Sequence, residues 1–150
     1  MIEGVIIKEA KKYEDARGWV AEFYRSDEIN FIPQMAYVSF SKFNIVRGPH
    51  EHTHQSDYFC FFGPGNFEMY LWDDRKDSVT YGEHFTMIVG EDKPTIVIVP
   101  PGVVHGYKCV SENGAWYINQ PDGLYAGKDK KEPVDEIRHE AEENSRFKIE

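Results

Sequence analysis

The sequence predicts an all-β sandwich or barrel folded as one domain, and three observations predict it. Its 150 residues include 41% hydrophobic and 15% aromatic side chains, enough for a single core, since a chain of this length buries roughly 68–70% of its extended surface. Short segments rich in Val, Ile, Phe, Tyr and Trp recur along it, with Gly, Pro, Asp or Asn between most of them. Helical periodicity is scarce, and neither a repeat nor a low-complexity linker interrupts residues 1–125.

Taken in order, strands are expected at 4–7, 19–24, 36–43, 58–62, 67–72, 81–89, 95–99, 104–110 and 115–118. The runs 58–62 and 95–99 are apolar at successive positions, as in strands covered on both faces. Gly63-Pro64-Gly65-Asn66 can take positive φ at its glycines and reads as a hairpin connection. Pro100-Pro101-Gly102 ends a strand, because two successive prolines donate no ladder hydrogen bonds. Residues 26–29 could form one helical turn. The stretch 134–143 is the only longer helix candidate, either a surface helix or a frayed tail. Residues 1–125 therefore form the domain, and 126–150 a charged extension packed on it or trailing from it.

Composition excludes several function classes. With 17 basic and 26 acidic residues the net charge is -9, which repels phosphate backbones and makes nucleic acid an unexpected partner. A single nucleotide held by a local arginine stays open. Mean hydropathy is -0.58, no apolar run approaches the ~18 residues of a membrane span, and the first residues lack a secretory apolar core. No membrane partner is expected, and the cytoplasm is the expected location. Cys60 and Cys109 lie in apolar segments and read as buried free thiols.

The most informative feature is a histidine cluster: His50, His52 and His54 in one segment, and His105 after Pro100-Pro101-Gly102. If residues 50–54 are extended, all three histidines share a face, with neighbours about 6.5–7 Å apart and the outer pair about 13 Å apart. Only two of the three can then share one ion. His-x-His, a carboxylate soon after, and Pro-x-Gly-x-x-His on a later strand resemble the metal-ligand pattern of cupins. It can be written with His50, His52, Asp57 and His105, or shifted to His52, His54 and His105. Imidazoles with one carboxylate suit Fe, Mn, Ni or Zn. Hydrogen-bonding histidines at a strand end are the plainer reading. The fold so indicated is a cupin-type double-stranded β-helix, or jelly roll.

Four ordered segments narrow the resemblance. Gly4-Val5-Ile6-Ile7 with Asp15-Ala16-Arg17-Gly18 and Trp19-Val20-Ala21-Glu22 is similar to a first strand, a D-E-R-G turn and an aromatic second strand. Residues 39–50, ending Arg47-Gly48-Pro49-His50, resemble S-x-S-x-x-N-V-L-R-G-L-H; residues 73–82 resemble D-L-R-x-x-S-P-T-(F/Y)-G; and residues 98–106 resemble W-I-P-x-G-x-A-H-G. These are motifs of the dTDP-4-dehydrorhamnose 3,5-epimerase-like cupins of nucleotide-sugar metabolism. The resemblance implies a homodimer with exchanged N-terminal strands, a nucleotide-linked 4-keto-6-deoxy sugar as substrate, a role in polysaccharide biosynthesis and no cofactor. It implies that His50 removes the proton α to the ketone, that Arg47 and Arg17 contact sugar or diphosphate, that Glu22 lies near the nucleobase, and that His105 lines the pocket.

The chain departs from that pattern at four places. Counted from His105, the family's general-acid tyrosine falls on Ile118, so the neighbouring Tyr117 serves only if a bulge shifts the register; Tyr58 is another candidate acid. No lysine stands in Gln55-Ser56-Asp57-Tyr58 to polarise the ketone. The C-terminal L-S-x-K-D segment, whose Asp orients the catalytic histidine, is missing, and Tyr37 stands where a substrate-binding Asn is usual. The expected function is therefore an epimerase or isomerase with His50 as base. The alternatives are a cupin binding one divalent metal ion through His52, His54, His105 and Asp57, and a non-catalytic sugar-nucleotide-binding paralogue.

Overall fold

A computed structural model describes residues 1–150. Twelve strands form two five-stranded antiparallel sheets and one hairpin. The first sheet runs β1 (Ile6–Glu9), β9 (Thr95–Val99), β6 (Asp57–Phe61), β11 (Ala115–Asn119) and β4 (Tyr37–Ser41). The second runs β12 (Ile137–Arg138), β5 (Val46–Glu51), β10 (Val103–Cys109), β7 (Asn66–Asp73) and β8 (His84–Gly90). From β4 to β11 the chain changes sheet at every connection except β7 to β8, which gives the jelly roll expected from the sequence. The separate hairpin pairs β2 (Lys12–Asp15) with β3 (Gly18–Ala21).

Alternation in β7 turns Phe67, Met69 and Leu71 inward, where they meet Phe59, Phe61, Val89, Val97 and Tyr107 between the sheets. Strands β6 and β9 are buried at every position, as their apolar runs require. Their second cover is the N-terminal arm rather than another sheet: Ala10, Ala21, Phe23, Tyr24, Ile29 and Phe31 pack on the outward Tyr58, Cys60, Phe62, Ile96 and Ile98. Both cysteines are buried free thiols.

Three expectations are corrected. Gly63-Pro64-Gly65-Asn66 is not a hairpin turn, because β6 and β7 belong to different sheets; it carries the chain across the sandwich edge. Residues 26–28 form only a turn. The stretch 134–143 is not helical: β12 pairs with the outer edge of β5, Ile137 opposite Glu51 and Arg138 opposite His50, and a single 3-10 turn follows at His139–Ala141. A charged ten-residue helix with few apolar contacts is marginal, whereas an open sheet edge supplies backbone partners. The C-terminal extension is thus packed on the domain, with His139, Ser145 and Phe147 buried.

Candidate active site

Strands β5, β6, β10 and β11 converge on a cavity of about 780 Å³ that opens between the sheets and is walled on one side by the C-terminal segment. His50 lies directly opposite His105 in the β5–β10 ladder, with ring centroids 4.5 Å apart. Arg47 lines the same cavity although it is three residues from His50, an odd spacing that regular pleating would put on opposite faces. A bulge resolves this: His105 pairs with His50 and Tyr107 with Arg47, so two steps on β10 match three on β5. Gly48 makes the bulge possible, with φ of +81° and a backbone so close to β10 that a Cβ would sit 2.7 Å from the His105 carbonyl oxygen.

Asp57, on β6, is the hub of the polar end of the cavity. Its Oδ2 lies 3.0 Å from His52 Nε2 and 3.1 Å from His105 Nε2, while Oδ1 accepts from Gln55 Nε2 at 3.0 Å and Asn119 Nδ2 at 2.9 Å. His105 Nδ1 donates to the Val103 carbonyl at 3.0 Å, and His52 Nδ1 to the Asp135 carbonyl. The Asp135 carboxylate in turn accepts from the backbone N–H groups of Thr53, His54 and Gln55 at 2.8, 2.8 and 2.9 Å, fastening the C-terminal segment over the turn. At the other wall the hydroxyls of Tyr107 and Tyr117 are hydrogen-bonded to each other.

Charge in this end is set by burial against pairing. Burial and the neighbouring imidazoles of His105 and His52 push His50 down to about 2, which favours its neutral form. Burial opposes the charge on His52, but the Asp57 carboxylate outweighs it and raises the imidazole to about 9. Burial likewise opposes Asp57 ionisation, and the two histidines hold it well below the usual carboxylate range. Burial pushes the Tyr107 hydroxyl well up, and Tyr117 beside it adds to the shift.

Of the expected site residues, His50, His52, Asp57, Arg47 and Tyr117 line this cavity, and His105, expected to line it, is instead buried behind them against Asp57 and His50. Tyr117 faces inward without any bulge in β11, whose register with β4 is continuous; Ile118 faces the outer cluster instead. The count from His105 crosses the turn before β11, so strand parity is not kept. Two further expectations fail. His54 is exposed and outside the cluster, because β5 ends at Glu51 and the next residues turn, so the three histidines do not share a face. Tyr58 points outward and donates to the Phe23 carbonyl at 2.6 Å, as its neighbour Phe59 takes the inward face. Arg17 and Glu22 lie outside the cavity of their own chain, paired with Asp15 and Arg25. Sequence reasoning missed Tyr107, although it alternates with His105 on one strand, and it missed Asn119, Asp135 and Glu136. Glu136 places Oε1 3.9 Å from His50 Nδ1.

The comparisons with known proteins agree with this geometry. The family described as dTDP-4-dehydrorhamnose 3,5-epimerase matches residues 1–134. The spore coat polysaccharide biosynthesis protein SpsL of Bacillus subtilis is 39% identical over 114 residues, 75% of this chain and 74% of that one. The probable low-salt glycan biosynthesis epimerase Agl13 of Haloferax volcanii is 33% identical over 134 residues, 87% and 85% of the two chains. Among solved structures, a dTDP sugar isomerase from Desulfovibrio desulfuricans shares the fold with a TM-score of 0.81 at 22% identity, over 91% of this chain and 84% of that one. ChmJ, a 3'-monoepimerase from Streptomyces bikiniensis in complex with dTDP-quinovose, has a TM-score of 0.80 at 21% identity, over 91% and 70%. Motif order, jelly-roll topology and the histidine-lined cavity thus have one explanation: this chain belongs to the dTDP-4-dehydrorhamnose 3,5-epimerase family.

Proposed function

We propose that the protein epimerises a dTDP-linked 4-keto-6-deoxy sugar by removing the proton α to its ketone, in the assembly of a polysaccharide or glycan. The observation that carries this reading is His50, a neutral imidazole facing the cavity opposite His105 with Arg47 on the same side. An α-proton becomes removable when the developing enolate oxygen is stabilised, and the enolate is then reprotonated on its other face. His50 takes the proton. The entering diphosphate raises the basicity of this imidazole, since negative charge favours its protonated form. Tyr117, hydrogen-bonded to Tyr107 at the far wall, returns a proton. Arg47 stands exposed at the mouth, where its planar fork suits the diphosphate of an otherwise repelled nucleotide.

The β2–β3 hairpin supports a homodimer. It stands apart from both sheets with Tyr13 53%, Trp19 49% and Val20 66% exposed, and exchange between two copies would carry Arg17 and Glu22 toward the other copy's cavity. The two reduced, buried thiols support a cytoplasmic location. The test is proton exchange at sugar C3 or C5 of dTDP-4-keto-6-deoxyglucose in heavy water. Exchange is expected in the native protein and is expected to fall at least about 100-fold in His50→Ala, the scale of a general base. No exchange with any keto-sugar nucleotide rejects the reading. Light scattering tests the dimer.

A further inference from the structure

We propose that Tyr107 is a positioning residue for the proton that Tyr117 returns: its hydroxyl donates to the Tyr117 oxygen, aims the Tyr117 proton into the cavity and steadies the phenolate left behind. This role rests on the epimerase reading. The motif at residues 98–106 stops one residue short of Tyr107, so the resemblance assigns it nothing. The two rings come from different sheets, Tyr107 from β10 and Tyr117 from β11, and meet edge-on inside the sandwich with centroids 4.9 Å apart. Their hydroxyls are hydrogen-bonded to each other.

Hydrogen-bond accounting gives the direction. Each phenol has one O–H to donate and lone pairs with which to accept. Around Tyr107 stand Phe59, Phe61 and Phe67, with ring centroids 6.1, 6.3 and 5.4 Å away, and its hydroxyl has Tyr117 as its one partner. If it accepted from Tyr117, its own hydrogen would be buried without an acceptor, a loss that folded proteins avoid. Tyr107 therefore donates. Tyr117 has a more open side, toward Tyr37, which is 40% exposed, lines the cavity and lies 6.4 Å from it between centroids. The Tyr37 hydroxyl in turn accepts from Asn119 Nδ2 at 3.0 Å, and that amide cannot be reversed, because its Oδ1 accepts the Tyr58 backbone N–H at 3.0 Å. The Tyr117 hydrogen is thus left to turn toward the cavity.

The pair matters most as the proton leaves. When Tyr117 gives its proton to the enolate carbon, the O–H bond breaks and its electron pair stays on the Tyr117 oxygen, while the enolate double bond supplies the pair for the new C–H bond. The proton taken from the substrate stays on His50 until cavity solvent carries it to the phenolate. Protons balance, and no electron is lost. A phenolate in an aromatic interior needs a donor, and a hydrogen bond to a charged oxygen is roughly twice as strong as a neutral one. Tyr107 therefore holds the product of the transfer more tightly than its start, the condition for lowering the barrier. The Arg47 cation, opposite Tyr107 in the β5–β10 ladder, also favours negative charge at this wall.

The experiment follows two readouts in heavy water with dTDP-4-keto-6-deoxyglucose: deuterium uptake into recovered starting sugar, which His50 performs alone, and formation of inverted sugar, which needs Tyr117. Tyr107→Phe removes one oxygen from a pocket of phenylalanines and keeps the fold, which circular dichroism verifies. Inversion is expected to fall about 10–100-fold, the scale of one hydrogen bond to a charged oxygen. KM should stay within about 2-fold, and the ratio of exchange to inversion should rise about 10-fold, since only the return step is impaired. Added to Tyr117→Phe, the same substitution should cost less than about 2-fold more, because its target is gone. Inversion in Tyr107→Phe within about 2-fold of native overturns the role, as does a loss shared in proportion by exchange and inversion, or full additivity with Tyr117→Phe. No exchange by the native protein with any keto-sugar nucleotide rejects the epimerase reading and this role together, whereas an unaffected Tyr107→Phe beside an active native protein rejects Tyr107 alone.

Discussion

Asp73→Ala should lower stability by an amount that the structure allows to be worked out. The carboxylate is fully buried at the end of β7 and accepts from the Arg75 backbone N–H at 3.1 Å, from Arg75 Nε and Nη2 at 2.8 Å each, and from the hydroxyls of Ser78 and Thr80 at 2.6 Å each. Arg75 also donates to the Glu3 carbonyl at 2.6 Å, so one carboxylate ties the β7–β8 connection to the turn that leads into β1. Removing one member of a buried pair costs roughly 3–5 kcal/mol. The Arg75 side chain is 26% exposed and can turn to water, which favours the lower end, about 3 kcal/mol. At about 2–4 °C per kcal/mol for a chain of this size, Tm should fall by about 6–12 °C. The pH dependence has a definite sign. Burial alone would raise Asp73, but Arg75, Ser78 and Thr80 hold it well below the usual carboxylate range. A depressed folded-state value gives stability that is complete above the unfolded carboxyl value of about 3.9 and is lost as the pH falls below it. Thermal unfolding followed by circular dichroism should therefore show a constant gap between native protein and variant at pH 6–8 and a shrinking gap below about pH 4. A gap of under about 2 °C at neutral pH, or one that widens in acid, refutes this account of the residue.

Two further outcomes follow from the site. Gly48→Ala must hold φ at +81° and place a methyl group against the His105 carbonyl. At about 1–2 kcal/mol for the conformation alone, it should lower Tm by at least about 2 °C and abolish exchange, because the bulge that brings Arg47 and His50 to one face is displaced; full activity would refute the role given to the bulge. Asp135→Asn keeps one acceptor but turns the other oxygen into a donor facing backbone N–H groups. Hydrogen–deuterium exchange should show residues 52–55 and 134–140 opening together by about 1–2 kcal/mol, and unchanged protection there would refute the clamp.

What was legible in the sequence is what chemistry demands within a few residues. Arg47-Gly48-Pro49-His50 and Pro100-Pro101-Gly102 before His105 carry both halves of the site because glycine and proline fix the backbone locally. What was hidden depends on parity and distance. Tyr117 could not be assigned a face from His105 because the intervening turn resets alternation, and His54 was misread because alternation was extended past the end of β5. Val134, Ile137 and Ala141 sit at helical spacing, yet the open edge of β5 competes for their backbone. Asp135 reaches Thr53 from 82 residues away, and no local pattern announces such a contact. The resemblance at residues 73–82 was legible as a motif, but only the folded structure shows Asp73 tying that loop together through the hydroxyls of Ser78 and Thr80.

The polar cluster also decides between a working site and a vestige of one. Asp57, His105 and Asn119 are each at most 2% exposed and lie against Phe59 and Tyr107 in an otherwise aromatic interior. Burying such groups costs several kcal/mol per ion unless each is matched, and apolar replacement of a buried charge network is often neutral or stabilising. A paralogue freed from chemistry would therefore gain stability by filling this end of the jelly roll with hydrocarbon. Instead every buried side-chain polar atom has a partner, while the His50 side chain beside them, lining the cavity, makes no hydrogen bond, its nearest carboxylate oxygen being Glu136 Oε1 at 3.9 Å. An interior that satisfies all its polar groups but leaves one imidazole without a hydrogen bond beside an open cavity is what the proposed proton transfer by His50 requires.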